Sequence, residues 1–136
     1  MLPHKIITRS FKNVELNSLN GKIVLFVDKK GKFNNELFPL KSKELESIKE
    51  ITNSENFKNL EIAQGIKITN WIATFQIDCL IIKIDKKINI EKLNKVAKLV
   101  SEFKKKSNVS ILWDLECSHE KVARIIQLRE YSYLEF

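Results

Sequence analysis

The chain has 136 residues, of which 43% are hydrophobic and 30% charged, and a formal net charge of +7. That length suits one domain able to bury roughly two thirds of its unfolded surface without disulfides or metals, and the composition is too apolar for disorder. No apolar run reaches the roughly 18 residues of a membrane span, and MLPHKIITRSF lacks the apolar stretch of a signal peptide, so a cytoplasmic protein without membrane contact is expected.

In chain order, HKIITRSF reads as a first strand and NVELNSLNG as a polar connector. KIVLFVD is the clearest early strand, opened by Gly21 and followed by a turn at Lys30-Gly31. GKFNNELFPL is irregular, and Pro39 limits any helix before it. Ser42 can cap KSKELESIKEITN, in which Leu45, Ile48 and Ile51 fall on one stripe. FKNLEIAQGIKITNWIATFQID offers one or two strands, with Gly65 as a bulge or bend and a turn near Asn70-Trp71.

From Cys79 onward the pattern simplifies. CLIIKID is a short strand rich in β-branched residues, and NVSILWD is another. Between them, after Asn89, Ile90, Leu93, Val96, Ala97, Val100 and Phe103 share one helical face, while Lys92, Lys95, Lys98 and Glu102 occupy the other. Lys104, Lys105 and Lys106 close that helix at the negative end of its dipole. Ser118 caps a last helix, with Val122, Ile125 and Ile126 toward the sheet and an aromatic tail. Such a βαβα order predicts a mostly parallel sheet covered by helices on both faces.

Charge and reactive side chains point to little chemistry. Residues 1 to 34 hold seven basic side chains (Lys5, Arg9, Lys12, Lys22, Lys29, Lys30 and Lys32) against Glu15 and Asp28, which raises a nucleic-acid hypothesis. Of the 24 basic residues, however, 21 are lysine, whereas bidentate phosphate or base recognition favours arginine, so a solvated face is the simpler reading. Asp28, Asp85 and Asp114 stand at strand ends, where open α/β sheets place their sites. Three carboxylates there could hold a hard cation or act as acid and base, but a turn or helix-approach role is the simpler reading for each, since Lys29, Lys30, Lys86 and Lys87 follow two of them.

Cys117 and His119 lie two residues apart and lack the second half of a tetrahedral metal site, and His4 is the only other imidazole. Cys79 and Cys117 have no CxxC spacing and read as small buried hydrophobes. No G-x-S-x-G, H-E-x-x-H or G-x-x-x-x-G-K-[ST] occurs. Phe26, Trp71, Phe75 and Trp113 sit among Ile, Leu and Val and are expected in the core rather than on a base-stacking platform. Tyr131, Tyr133 and Phe136, at the chain end, have little of the same domain to pack on, and are expected to dock on a following part or another subunit.

Several strings resemble the N-terminal domain of the leucyl (cytosol) aminopeptidase family. GKIVLFVDKKGKFNNEL is similar to that domain's opening strand and turn, NFKNLEIAQGIKI to the segment before its next strand, and CLIIKID with NIEKLNKVAKLVSEFKKKSNVSILWD to its strand, helix and strand. HEKVARIIQLREYSYLEF resembles the helix leading into the peptidase domain. The resemblance implies a three-layer, macro-domain-like α/β fold, with residues 1–136 as a single noncatalytic N-terminal domain. It also implies a separate peptidase domain as partner, holding two divalent metal ions, and assembly into hexamers.

The family's catalytic residues, including the N-T-D-A-E-G-R motif, have no counterpart here, so no catalytic, metal-binding or cofactor-binding residue is assigned to this chain. Its expected role is assembly and access control for removal of N-terminal residues from peptides, with Tyr131, Tyr133 and Phe136 as interdomain or subunit contacts. Two alternatives stay open: a nucleic-acid-binding module using the basic N-terminal third, and a macro-like domain binding a nucleotide or ADP-ribose near Asp28 and Gly31. Against the second, Gly21, Gly31 and Gly65 are the only glycines and do not cluster into a phosphate cradle, and CLIIKIDKK lacks the glycines that relatives place after the strand.

Overall fold

A computed structural model describes residues 6–10, 22–31, 42–72, 77–85, 87–105, 107 and 109–113. The chain forms a mixed α/β fold on an open, mostly parallel sheet. Its elements are β1 (Ile6–Ser10), β2 (Lys22–Val27), α1 (Ser42–Thr52), α2 (Glu55–Lys58), β3 (Gly65–Ile72), β4 (Ile77–Lys83), α3 (Ile90–Lys104) and β5 (Val109–Trp113). Across the sheet the strands run in the order β1-β5-β2-β4-β3. Four are parallel, and β3 lies antiparallel to β4 at one edge.

Strand alternation sorts the core onto two faces. Val24 and Phe26 of β2, Leu80 and Ile82 of β4, and Val109 and Ile111 of β5 pack with Leu93, Val96, Val100 and Phe103 of α3. Ile23, Leu25 and Val27 of β2, with Ile77, Cys79 and Ile81 of β4, pack instead with Ile48 of α1 and Phe57 of α2. Parallel register keeps these sets in phase, since Ile23 pairs with Cys79 and Leu25 with Ile81. β2 and β4 are therefore buried on both faces, which explains their almost uninterrupted apolar sequences.

The helices begin where local chemistry starts them. The Asn89 side chain accepts from the Lys92 N–H at 2.8 Å, capping α3. Ser54 does two jobs: its Oγ donates to the Ile51 carbonyl (2.6 Å) and accepts from the Phe57 N–H (3.2 Å), so one hydroxyl ends α1 and starts α2. Ile90 departs from the expected apolar stripe: it is 68% exposed, because the first residue of α3 precedes the turn that meets the sheet.

The segment after α1 holds more structure than its sequence announces. α2 is a four-residue helix that periodicity does not reveal, and Asn70 and Trp71 lie within β3 rather than at a turn. A register shift between Ile68 and Ile72 explains the misreading. It puts Trp71 out of alternation with Ile66 and Ile68, yet all three join the same apolar cluster. Gly65 opens β3 where an added Cβ would lie 2.7 Å from the Ile81 carbonyl oxygen. The helix expected after Ser118, with Val122, Ile125 and Ile126, falls outside the described residues, as does the segment 32–41. Among the described residues no helix is long and apolar enough to cross a membrane.

Candidate functional site

The carboxyl ends of β2 and β4 are adjacent, since the Ile84 N–H donates to the Val27 carbonyl at 2.8 Å. Asp28 follows Val27 directly and folds its own chain back: its carboxylate accepts from the Lys30 N–H and its carbonyl from the Gly31 N–H, both at 2.9 Å. Gly31 takes φ of +74°, which favours glycine. A Cβ on Gly31 would lie 3.0 Å from the Thr52 carbonyl oxygen and 3.3 Å from Phe57 Cε1, so the turn is packed against α1 and α2. Asp85 makes a longer contact of the same kind, accepting from the Lys87 N–H at 3.5 Å.

The fold thus brings Asp28 and Asp85 to neighbouring strand ends and engages each in a local turn. Asp114 lies outside the described residues, as do His4, Phe75, Cys117, His119, Tyr131, Tyr133 and Phe136. Among the described residues no three His, Cys, Asp or Glu side chains gather as a metal site. Phe26 and Trp71 are buried in opposite clusters, so neither is available to stack on a base. Cys79 is fully buried, and burial pushes its thiol well above its ordinary value, with Asp78 adding to the effect.

Two lysines missed by sequence reasoning organise the ends of the sheet. Lys83, the last residue of β4, falls in phase with Cys79 and Ile81 and so points inward, only 4% exposed. Its backbone is clamped, with its N–H donating to the Gln64 carbonyl (2.9 Å) and its carbonyl accepting from the Ala63 N–H (2.8 Å). The ammonium donates to the Leu60 carbonyl at 2.8 Å and to the Lys58 carbonyl at 3.4 Å, satisfying groups at the end of α2. A lysine at an inward position of an apolar strand was the available signal.

At the opposite end, Lys22 opens β2 and donates from its ammonium to the Phe103 carbonyl at 2.6 Å. The last turn of α3 thus receives a cationic donor from a strand residue. The Lys22 ammonium also lies 5.1 Å from the centre of the Phe103 ring, and that of Lys67, from β3, lies 5.9 Å from the same ring. Burial lowers the proton affinity of Lys22, Lys67 lowers it further, Asp78 opposes this, and Lys105 adds to the depression. Among the described basic residues of the N-terminal third, Lys22 lies at the amino end of β2, whereas Lys29 and Lys30 follow its carboxyl end. No protein-family model, no curated protein and no solved structure matches the chain.

Proposed function

We propose that this chain is a noncatalytic scaffold domain, with the three-layer macro-domain-like fold of the N-terminal part of leucyl-aminopeptidase-like metallopeptidases. It acts in assembly and access control beside a separate peptidase domain that holds two divalent metals and works in the cytoplasm. One structural observation carries the scaffold reading: the carboxyl end of the sheet, where an α/β enzyme would place its site, is occupied at Asp28–Gly31 by a self-bonded turn packed on Thr52 and Phe57. The aminopeptidase part of the proposal rests on the resemblance of the strings quoted above. In that arrangement Tyr131, Tyr133 and Phe136 contact the peptidase half or a second subunit.

The same turn weighs against nucleotide or ADP-ribose binding at Gly31, because the space beside its α-carbon is taken by protein atoms. The first test is the coding frame downstream of Phe136, which should continue into a metal-binding peptidase domain. The second is co-elution of the chain with that domain, weakened by changing Tyr131, Tyr133 and Phe136 to alanine. A frame without a peptidase half, or association indifferent to the three changes, ends the assignment. Peptide cleavage by the purified chain that is abolished by Asp28→Asn ends it equally.

A further inference from the structure

We propose that Lys22 and Lys67, which share the Phe103 ring, together with Lys105, two residues beyond it at the end of α3, form a surface that binds the phosphodiester backbone of nucleic acid without reading its sequence. Nothing local in the sequence unites these residues, which come from β2, β3 and the end of α3. The sheet does so. Lys22 and Asp78 are neighbours in register, one place before the paired Ile23 and Cys79, and Lys67 pairs with Leu80 on the same face. The ammonium groups of Lys22 and Lys67 stand 5.1 and 5.9 Å from the centre of one phenyl ring.

Lys22 and Lys67 thus share one ring, Asp78 lies beside Lys22 in register, and Lys105 caps the helix that carries the ring. Like charges brought this close raise the local potential, and an arriving polyanion relieves their repulsion. Lysine supplies point charges suited to phosphate oxygens, with no fork to fix a base edge, so recognition stops at the backbone.

Other polyanions fit less well. Peripheral membrane binding gains strength from an apolar side chain inserted beside the basic patch. Among the described residues the exposed large hydrophobic is Ile90, at the far end of a fifteen-residue helix, roughly 21 Å away at ~1.5 Å per residue. Phe103 itself lies beneath the ammonium groups and is buried, so its ring is not open to the anchoring side chain of an acidic peptide. The inference uses none of Tyr131, Tyr133 and Phe136 and does not depend on the aminopeptidase reading.

The test is fluorescence anisotropy of labelled short duplex and single-stranded DNA against the intact chain at about 25 and about 150 mM salt. Lys67→Gln combined with Lys105→Gln removes two charges and leaves Lys22 on its carbonyl. Lys95→Gln combined with Lys98→Gln removes two exposed charges elsewhere on α3. Binding at low salt is expected to weaken about tenfold or more in the first pair, with the log–log salt slope falling by about 2, and to change much less in the second. Absence of binding by the unaltered chain at low salt overturns the proposal, as do equal losses in both pairs. So does binding to anionic phosphatidylglycerol vesicles or polyglutamate, but not DNA, that depends on Lys67 and Lys105.

Discussion

The Lys83 ammonium lies 4.9 Å from the centre of the Phe57 ring while donating to the carbonyls of Lys58 and Leu60. One inward lysine of β4 thereby ties a four-residue helix, too short to persist alone, to the sheet. Lys83→Met keeps most of the buried volume and removes the charge and its donors. We expect it to destabilise the protein by about 2 kcal/mol in urea unfolding. A double-mutant cycle with Phe57→Leu should show a coupling of about 1 kcal/mol. Strict additivity would mean that the ring contact contributes nothing and that the carbonyl bonds alone hold the lysine.

Gly31 and Gly65 make different demands. At Gly31 the backbone lies in the left-handed region with φ of +74°, and Gly31→Ala should cost about 1–2 kcal/mol from conformation alone. Gly65→Ala fails on space, because its Cβ would lie 2.7 Å from the Ile81 carbonyl oxygen, and overpacking of this kind costs about 1–3 kcal/mol. The exposed Lys95→Ala should stay within about 0.5 kcal/mol. If all three unfold at the same urea concentration, the packing described for both glycines is wrong.

Ser54 serves two helices with one hydroxyl. Ser54→Ala should lower stability by about 1–2 kcal/mol, at the upper end of capping effects, because the Ile51 carbonyl and the Phe57 N–H lose a partner together. Ser54→Thr keeps the oxygen and should recover most of that loss. Equal destabilisation by both changes would show that volume rather than hydrogen bonding sets the preference.

Cys79 should be chemically silent in the native protein. With Cys117 replaced by serine, a thiol reagent is expected to label Cys79 at least about a thousandfold more slowly than free cysteine, through global unfolding, because the thiol is buried and its thiolate suppressed. Labelling at the rate of an open thiol would place Cys79 outside the core.

Lys22 should reveal itself as the pH rises. Its proton affinity is lower in the folded protein than in an open chain, so the folded state binds fewer protons between the lowered value and the ordinary lysine value near ~10.4. The charged form is thus disfavoured by folding at neutral pH, and that penalty is relieved as pH rises through this window. Relative to Lys22→Met, the unaltered protein should gain stability across the alkaline range and show no differential trend below it. A relative loss of stability over the same range would reverse the assigned sign.

How much of this was legible depends on whether the signal was local. The strand KIVLFVD, the stripe Leu45, Ile48 and Ile51, and the helix after Asn89 depend on neighbours within a few residues, and each is found where periodicity puts it. The turn role of Asp28 was readable for the same reason. The lysine contacts were not: Lys22 and Lys67 meet Phe103, and Lys83 meets Phe57, only because the fold juxtaposes distant segments. In β3 the register shift breaks the alternation on which strand reading relies, so Trp71 changes parity without any change in composition.

The place of β5 in the sheet has a further consequence, for synthesis. β5 lies between β1 and β2, so both early strands lack a shared neighbour until Trp113 has been made, 86 residues after Val27 (113 − 27). At ordinary translation rates that interval lasts roughly 4–17 s, far longer than a hairpin needs to form. Throughout it the edge of the apolar strand KIVLFV that faces β5 lacks its partner on a nascent chain, and final closure joins Ile6 to Val109 across most of the polypeptide. The newborn protein thus carries an apolar strand edge without its final partner for seconds, a state that the finished sheet conceals.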